Sequence, residues 1–477
     1  MRDRASYRRL GDGSRAVSFA SGTIGEEFYV GIRIGIIGAG SATFSLKLVR
    51  DLCLTPSLSD STITLMDVDA HRLDDVYRLS LRYAEELGQS LQIEKTSERV
   101  DCIAGADFVI NTALGPGLDR LVEGWQVAFR HGYRFGGSLH VMHDEAFWIN
   151  YHQLALIEAI ARDIETHAPD AWYVVVANPV LAAITYLARR FPGMKTVGLC
   201  HGYSGVFRLA ETIGLDPHRV QYDIPGVNHF VWLTRFEQDG VDVMPVLERW
   251  VRDQSSSYFE QCGICDHAGP KAVDLYQRFG VFPIGDTGNP GGGSWGYWYH
   301  ADVEAEARWK EDPWRWYQSM IEDGNRRVAE IARVTRDRTV NVSDVFGTQK
   351  STEVMVPLVE CLSGLDEREL IVNVVNSGSW VEGIPTDFEV EVPATVGSAG
   401  IRPRRTQPLP PAVQRFAQRD RVAPVELELE AYRRGSRELL TELLLMDPWT
   451  RSGGQARGLV DEILGIPFNR PMNEHYR

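Results

Sequence analysis

The sequence predicts an α/β fold in which a mostly parallel, doubly wound sheet forms the first part of the chain. Three observations support this prediction. An apolar, β-branched run at residues 32–37 leads into a Gly-Ala-Gly-Ser turn at 38–41 and then into a segment with helical spacing. Further apolar strands follow, separated by helix-length segments. A length of 477 residues, 44% of them hydrophobic, leaves room for a second packed unit.

The glycine turn indicates a dinucleotide site. Gly38 permits a tight turn, and Gly40 allows a pyrophosphate to approach the backbone amides at the start of a helix. Thr43 stands where the third glycine of the usual pattern would be. The strand at 62–66 ends in Asp67, whose carboxylate can accept from the ribose hydroxyls, and this favours NAD over NADP. The alternative role for Asp67 is to cap the helix that follows.

Two later strands each end in asparagine. Residues 106–111 form an apolar strand that ends in Asn111 and runs into a Leu-Gly-Pro-Gly loop at 114–117, placed to close over the cofactor. Residues 172–177 form another strand, which is followed by Asn178. Ligands of doubly wound sheets bind outside the carboxyl ends of the strands. We therefore expect the ligand at this edge, with the cofactor held by Gly38, Gly40, Ser41, Asp67 and Asn111.

Composition excludes several classes of protein. Lys and Arg number 50 against 65 Asp and Glu, a net charge of −15, which disfavours binding to nucleic acid or to an anionic membrane. The sequence contains no run of about 18 consecutive apolar residues, which is the length that a membrane-spanning helix requires. Six scattered cysteines indicate a reducing compartment, so we expect a cytoplasmic protein. Residues 1–29 have no sustained period and are expected to form a poorly ordered N-terminal extension.

Several motifs, in order, carry a resemblance to a known family. After the glycine turn come Asn-Pro-Val at 178–180, Cys-His-Gly-Tyr at 200–203 and Gly-Val-Asn-His at 226–229. Val-Asn-Val-Val-Asn-Ser-Gly follows at 372–378, and Val-Glu-Val-Pro-Ala at 390–394. From about residue 32 to beyond 460 the sequence resembles glycoside hydrolase family 4.

The resemblance implies a fold of the lactate/malate dehydrogenase-like superfamily. We expect a Rossmann NAD-binding domain at 30–199. An α+β domain for catalysis, metal binding and oligomerisation is expected at 200–477. A homodimer or homotetramer is expected, with a small-molecule glycoside or oligosaccharide as its partner.

Within the family, the residues after the cysteine vary with substrate, and the Cys-His-Gly form resembles the α-glucuronidase subgroup. The substrate is then expected to be a uronide, an anion that needs a local cation because the net charge is negative. α-Galacturonidase, α-glucosidase and α-galactosidase activities stay open as alternatives. The glycine-rich stretch 288–293 is an insertion relative to the family pattern.

The family is an exception to hydrolysis by two carboxylates. The resemblance implies NAD⁺-dependent oxidation at C3 of the sugar, removal of the C2 proton by a base, elimination of the aglycone, addition of water and re-reduction. It also implies a divalent ion, Mn²⁺ or another such as Co²⁺ or Ni²⁺, that stabilises charge on the C2 and C3 oxygens.

The resemblance assigns roles to individual residues. Cys200 and His229 are the expected metal ligands, and Asp286 is the expected base at C2. His201 is the expected acid for the leaving group, with substrate binding alone as its alternative. The sugar is expected to contact Asn178, His201 and Asn228.

Some of these residues also admit another role. Asp286 would otherwise form an Asx turn, with Tyr297 or Tyr299 as the base. Cys262, Cys265 and His267 are expected to be structural, because a zinc site needs further ligands. A plain NAD-dependent dehydrogenase and a nucleotide-binding sensor are the alternative functions.

Two segments beyond the site also carry predictions. Residues 425–445 are expected to be helical, and 402–411 to form an irregular stretch that crosses the surface or reaches a neighbouring subunit.

Overall fold

The computed structural model describes residues 31–41, 45–293 and 295–477, with only the backbone described at Ser45. The predicted N-terminal extension at 1–29 and Thr43 lie outside these residues.

The first half of the chain forms the parallel part of a large sheet. Its strands are β1 (Arg33–Ile37), β2 (Thr62–Met66), β3 (Gln92–Thr96), β4 (Phe108–Asn111), β5 (Trp172–Val175) and β6 (Lys195–Gly198). They lie in the order β3-β2-β1-β4-β5-β6, and every neighbouring pair is parallel. The strand order reverses at β1, since β2 and β3 lie on one side of it and β4, β5 and β6 on the other, and this places a crevice at the carboxyl ends of β1 and β4. This confirms the predicted doubly wound α/β arrangement.

Helices connect these strands. They are α1 (Ser45–Cys53), α2 (Ala70–Glu86), α3 (Arg99–Ile103), α4 (Leu118–Arg130), α5 (Phe147–His167), α6 (Val180–Arg190) and α7 (Gly205–Thr212). The central strands β1, β4 and β5 are mostly apolar and buried, because helices cover both faces of the sheet.

The second half of the chain extends the same sheet. Its strands are β7 (Val220–Asp223), β8 (Gly226–Val227), β9 (Phe230–Leu233), β10 (Arg235–Gln238), β11 (Val241–Asp242), β12 (Phe282–Ile284), β13 (Arg368–Val375), β14 (Glu389–Gly397) and β15 (Gly400–Pro403). The order continues β6-β13-β14-β8-β9-β12 with antiparallel pairs, and β15 also pairs with β14. Asn373 opposite Gly198 joins the two halves. The whole sheet is therefore mixed, and β7, β10 and β11 form a separate small sheet.

The remaining helices surround this extension. They are α8 (Met244–Asp253), α9 (Ser255–Gln261), α10 (Pro270–Phe279), α11 (Val303–Trp309), α12 (Pro313–Arg336), α13 (Val342–Phe346), α14 (Met355–Leu362), α15 (Pro411–Ala417), α16 (Ala423–Arg434), α17 (Arg437–Leu445), α18 (Gly453–Leu464) and α19 (Arg470–His475). Among the described residues, none of the helices combines the length and apolar character that crossing a bilayer requires.

Two predictions about this half were wrong in detail. The segment 425–445 is two helices, because Gly435 ends α16 in the left-handed region at φ 63° and Ser436 caps α17 by accepting from the Leu439 amide. The stretch 402–411 is not irregular throughout, since Arg402 and Pro403 belong to β15.

The second half also covers the first. Ile331 and Val334 of α12 and Met355 of α14 pack into the core beneath β1 and β2. Burial of these side chains against the parallel strands stabilises the contact between the two halves by the hydrophobic effect. It also sets the helix α14 beside the carboxyl edge of the sheet, where the predicted site residues lie.

Candidate functional site

The glycine turn after β1 packs closely against the turn after β4. Gly38 adopts φ 87°, and a Cβ at this position would lie 2.5 Å from the Cα of Ala113. Only glycine fits such a conformation without strain. The amide of Ser41 closes the turn by donating to the Gly38 carbonyl at 2.9 Å. Binding of a pyrophosphate at this turn stays a prediction.

Asp67 is fixed across this turn. Its Oδ2 accepts from the Gly40 amide at 2.7 Å and its Oδ1 accepts from the Asp69 amide at 2.9 Å. A Cβ on Gly40 would lie 2.7 Å from Asp67 Oδ2, so the carboxylate occupies the space above the glycine. The helix cap is Asp69, which accepts from the amides of His71 and Arg72. Asp69, and not Asp67, therefore caps α2.

Asn111 lies at the end of β4 and is fully buried. Its Oδ1 accepts from the Ala113 amide at 3.1 Å, and its Nδ2 donates to the Tyr173 hydroxyl at 3.2 Å. In the structure its side chain shapes the turn after β4. A direct role at the cofactor stays a prediction.

Three predicted residues converge beyond β6. Cys200 Sγ lies 3.8 Å from Asp286 Oδ2, and His229 Nε2 lies 3.6 Å from the same oxygen. The donor atoms of all three residues lie within 4.8 Å of one another. A thiolate, an imidazole and a carboxylate at this spacing fit a divalent ion that keeps open positions for other ligands.

Different elements bring these residues together. Cys200 directly follows β6, His229 lies in the tight turn between β8 and β9, and Asp286 lies in a helical turn after β12. His229 adopts φ 60°, a left-handed conformation that is uncommon for a residue other than glycine. Such strain is concentrated at functional sites, where the surrounding structure holds it.

A second set of donors supports His229. Glu145 Oε1 lies 3.0 Å from His229 Nδ1, on the side of the ring opposite the cluster, and both side chains are nearly inaccessible. Metal-bound histidines usually have a carboxylate or carbonyl at the other ring nitrogen. His143, Asp144 and Glu145 also form a second group of possible metal ligands. Sequence reasoning missed all three, although three consecutive ligand-type residues are a signal in themselves.

Burial shapes the protonation of the cluster. Burial and the nearby Glu391 carboxylate raise the pKa of the Cys200 thiol to about 12. Burial opposes charge on His229, but contacts with Cys200 and Glu145 outweigh it, and the pKa of His229 is raised well above its usual value. The pair therefore keeps its protons until a cation displaces them.

His201 is partly exposed at the edge of this cluster. Its Nδ1 lies 3.3 Å from Glu353 Oε2, and Glu353 Oε1 accepts from Lys47 Nζ at 2.9 Å. Burial alone would raise the pKa of Glu353, but His201 and Lys47 lower it to about 2. An ionised carboxylate thus orients the imidazole. Neither Lys47 nor Glu353 belongs to a motif, so the sequence carried no signal for them.

The two predicted substrate-binding asparagines differ in position. Asn178 is half-buried and donates from Nδ2 to Asp144 Oδ2 at 3.0 Å, near the cluster. Asn228 is fully buried, and its Nδ2 donates to Glu391 Oε2 at 3.2 Å. Asn228 therefore packs behind the cluster in this structure. Contact of either residue with a sugar stays a prediction.

The alternative residues lie elsewhere. Tyr299 is buried and donates to Asp274 Oδ2 at 2.6 Å, and the ring of Tyr297 packs against Trp449 and Trp298. Neither tyrosine contacts the three-residue cluster in these interactions, whereas Asp286 is part of it.

The cysteine pair at 262 and 265 has structural contacts. Cys265 Sγ accepts from the Asp312 amide at 3.3 Å, and His267 Nε2 lies 3.3 Å from the Thr212 hydroxyl. Among the described residues, these three side chains are not part of a metal-sized group.

Two family models match the chain. The model described as family 4 glycosyl hydrolase matches residues 33–215, and the model of the family 4 glycosyl hydrolase C-terminal domain matches residues 224–450. Together they span most of the 477 residues. The chain belongs to glycosyl hydrolase family 4. Both the predicted family and the predicted enzyme class, a glycoside hydrolase, are confirmed.

Relatives within family 4 are distant. An α-galacturonidase of Thermoanaerobacter italicus is 24% identical over 440 residues, which cover 88% of this chain and 92% of the relative. An α-glucosidase of Erwinia rhapontici is 24% identical over 458 residues, which cover 87% of this chain and 93% of the relative.

Solved structures share the fold. A putative glucosidase from Bacillus subtilis aligns with a TM-score of 0.77 at 23% identity, covering 91% of this chain and all of that one. A 6-phospho-α-glucosidase from gut microorganisms, solved in complex with NAD and Mn²⁺, aligns with a TM-score of 0.76 at 17% identity, covering 93% and 99%. The predicted α/β fold with a Rossmann-like first part and a further C-terminal part is thereby confirmed.

Proposed function

We propose that this family 4 enzyme is an NAD⁺- and divalent-metal-dependent α-uronidase. The observation that carries the proposal is the convergence of Cys200, His229 and Asp286 within 4.8 Å. The cluster lies at the carboxyl edge of a doubly wound sheet that also carries the glycine turn. A dinucleotide cradle and a metal-sized donor group on one edge fit a redox-assisted cleavage.

The cofactors would be held by residues described above. The Gly38 turn and the Asp67 carboxylate fit the pyrophosphate and ribose of NAD⁺, and Cys200 and His229 fit Mn²⁺ or another divalent ion such as Co²⁺ or Ni²⁺. NAD⁺ supplies a hydride acceptor for C3 of the sugar, and the metal supplies a Lewis acid for the C2 and C3 oxygens.

The protein's own residues manage the protons. Once C3 is a ketone, the C2 proton is far more acidic than in the alcohol, and the Asp286 carboxylate takes it. His201 donates a proton to the leaving oxygen as the bond from C1 to the aglycone breaks. Glu353 holds the His201 ring at 3.3 Å from Nδ1, which leaves Nε2 as the donor to the leaving group.

The sugar is proposed from two sources of support. The Cys-His-Gly motif at 200–202 favours an α-glucuronide. The name α-galacturonidase, carried by a relative at 24% identity over most of both chains, favours an α-galacturonide as the second candidate. The two uronides differ only in the configuration at C4, so the rest of the mechanism is common to both.

A panel of p-nitrophenyl glycosides tests the proposal. We expect aglycone release from the α-glucuronide or the α-galacturonide with NAD⁺ and Mn²⁺, and little from the α-glucoside and α-galactoside. NADH should not accumulate, and in deuterated water the released sugar should carry deuterium at C2. Accumulation of NADH without aglycone release would instead indicate a dehydrogenase, and release without deuterium at C2 would refute the elimination step.

The assembly and location are also proposals. We place the boundary between the two domains at residues 199/200, and propose a homodimer or homotetramer in the reducing cytoplasm. Free thiols support the reducing compartment, because none of the six cysteines is disulfide-bonded in the structure.

A further inference from the structure

The glycine-rich insertion 288–293 is held by three buried side chains. Three consecutive carbonyls of this loop each accept from a different part of the fold. The pairs are Pro290 O with the Tyr317 hydroxyl at 2.6 Å, Gly291 O with His143 Nε2 at 2.7 Å and Gly292 O with Arg421 Nη2 at 2.9 Å. Because three successive carbonyls accept hydrogen bonds from buried side chains, this part of the loop has little freedom to move.

The anchored loop lies directly against Asp286. A Cβ added to Gly292 would lie 1.7 Å from the Asp286 carbonyl oxygen, and one added to Gly291 would lie 2.6 Å from Asp286 Oδ1. Gly292 does not adopt the left-handed region, so glycine is required there by space and not by φ. The loop is therefore a wall that limits where the Asp286 side chain can lie.

The Gly292 carbonyl is held by Arg421, whose charged side chain is buried. Arg421 lies in the π-helical turn Gln418–Val422 and is 1% exposed. Its guanidinium lies 5.1 Å from the ring of Phe230, and its Nε has no hydrogen-bond partner among the residues that the structure describes. Nη1 donates to the Asp420 carbonyl at 3.1 Å. Burying a guanidinium without a salt bridge is costly, and such a group is retained where its position is required.

We propose that Arg421 is a positioning residue for Asp286. By fixing the Gly292 carbonyl it holds the glycine loop against Asp286, and the loop keeps the carboxylate within reach of Cys200 and His229. The inference rests on the proposed function, in which Asp286 is the base at C2. It adds a residue from a distant part of the chain that sets the efficiency of that one step.

The decisive pair of variants is Gly292→Ala and Gly288→Ala. The added methyl group at 292 must displace Asp286, whereas at 288 the nearest atom lies at 3.7 Å and φ is −96°, so alanine fits. Both variants keep every charge of the site. A displacement near 1 Å should lower kcat about 100-fold for Gly292→Ala, with KM changed less than about threefold, and leave Gly288→Ala near wild type.

Isotope effects identify the step that is slowed. With substrate deuterated at C2, the isotope effect on kcat/KM should rise in Gly292→Ala, while the effect of deuterium at C3 should fall. This happens because proton removal becomes slower than hydride transfer. Arg421→Gln should show the same pattern, and Arg421→Lys, which keeps one charged donor, should restore part of the activity.

Crystal structures of the two glycine variants make the inference independent of the sugar. We expect Asp286 Oδ2 to leave its position 3.6 Å from His229 Nε2 in Gly292→Ala and to keep it in Gly288→Ala. An unmoved Asp286, equal losses in both variants, or a larger isotope effect at C3 would overturn the positioning role. Absence of turnover by the wild-type enzyme on the whole panel would overturn the proposed function, while the crystal structures still decide the role of the loop.

Discussion

Replacing Glu145 by glutamine should weaken the binding of a divalent ion, because Glu145 is the carboxylate behind His229. The two groups are 3.0 Å apart, with side chains that are 1% and 4% exposed, so water cannot replace the lost contact. A carboxylate at this position both orients the ring and makes its other nitrogen a stronger ligand.

The magnitude follows from the chemistry of the pair. Loss of such an outer carboxylate typically lowers metal affinity 10- to 100-fold, or about 1.4 to 2.8 kcal/mol. Glutamine keeps a side-chain oxygen that can accept from His229 Nδ1 and removes only the negative charge. A neutral hydrogen bond has about half the strength of one to a charged group. Half of that free energy is about 0.7 to 1.4 kcal/mol, so we expect Glu145→Gln to weaken Mn²⁺ binding about 3- to 10-fold, and Glu145→Ala to reach the upper part of the full range.

Electron paramagnetic resonance of free Mn²⁺ during a titration measures this affinity directly. Glu428→Gln is the matched control, because Glu428 forms another buried contact with an imidazole, 3.2 Å from His140 Nε2, away from the cluster. The control should change stability without changing Mn²⁺ affinity. If folded Glu145→Gln binds Mn²⁺ as tightly as wild type, within about twofold, His229 is not a metal ligand oriented in this way.

Three further predictions concern the cofactor, the metal and stability. Gly40→Ala should weaken NAD⁺ binding at least about 10-fold, measured by calorimetry, because the added Cβ would lie 2.7 Å from Asp67 Oδ2. Gly453→Ala is the control and should bind NAD⁺ as the wild type does, because a Cβ at 453 meets nothing within 4 Å. Equal affinities of the two variants would contradict the pyrophosphate cradle. Mn²⁺ binding should release protons to a pH indicator and tighten as pH rises, up to about tenfold per unit for one proton, because the Cys200 thiol has a pKa of about 12 before it binds; binding without proton release would argue against a thiolate ligand. Burial raises the pKa of Asp447 from 3.8 to about 7. Between these two values the folded state keeps a proton that the unfolded chain loses. The free energy of unfolding should therefore fall by up to about 4 kcal/mol through this group as the pH rises from 4 to 7. Asp447→Asn should flatten that slope in urea titrations, and an unchanged slope would contradict the assignment.

Motifs of adjacent residues allowed the sequence to predict much of the site. Glycine turns, strand ends and the Cys-His-Gly and Gly-Val-Asn-His motifs are local, because each depends on neighbours along the chain. The glycine turn and the strand ends led to the predicted cofactor residues. The resemblance to the family led to Cys200, His229 and Asp286, whose donor atoms the fold brings within 4.8 Å of one another.

No short motif indicated the residues that support the site from distant parts of the chain. Glu353 reaches His201 from the segment before α14, Lys47 reaches Glu353 from α1, and Arg421 reaches Gly292 from the helical turn Gln418–Val422. No short pattern joins positions so far apart. The continuation of the parallel sheet into antiparallel strands was missed for the same reason, since strand pairing at Asn373 and Gly198 depends on contacts between distant segments.

The sequence by itself determined the α/β class, because periodicity and turn residues act through local backbone preferences, and its ordered motifs indicated the family. The tertiary structure alone decided which carboxylates face which imidazoles. It also decided that Asn111 and Asn228 are buried among other polar groups, and that the glycine-rich stretch 288–293 packs against Asp286. Those outcomes depend on burial and on distances of about 3 Å between groups remote in sequence, which only the packed fold sets.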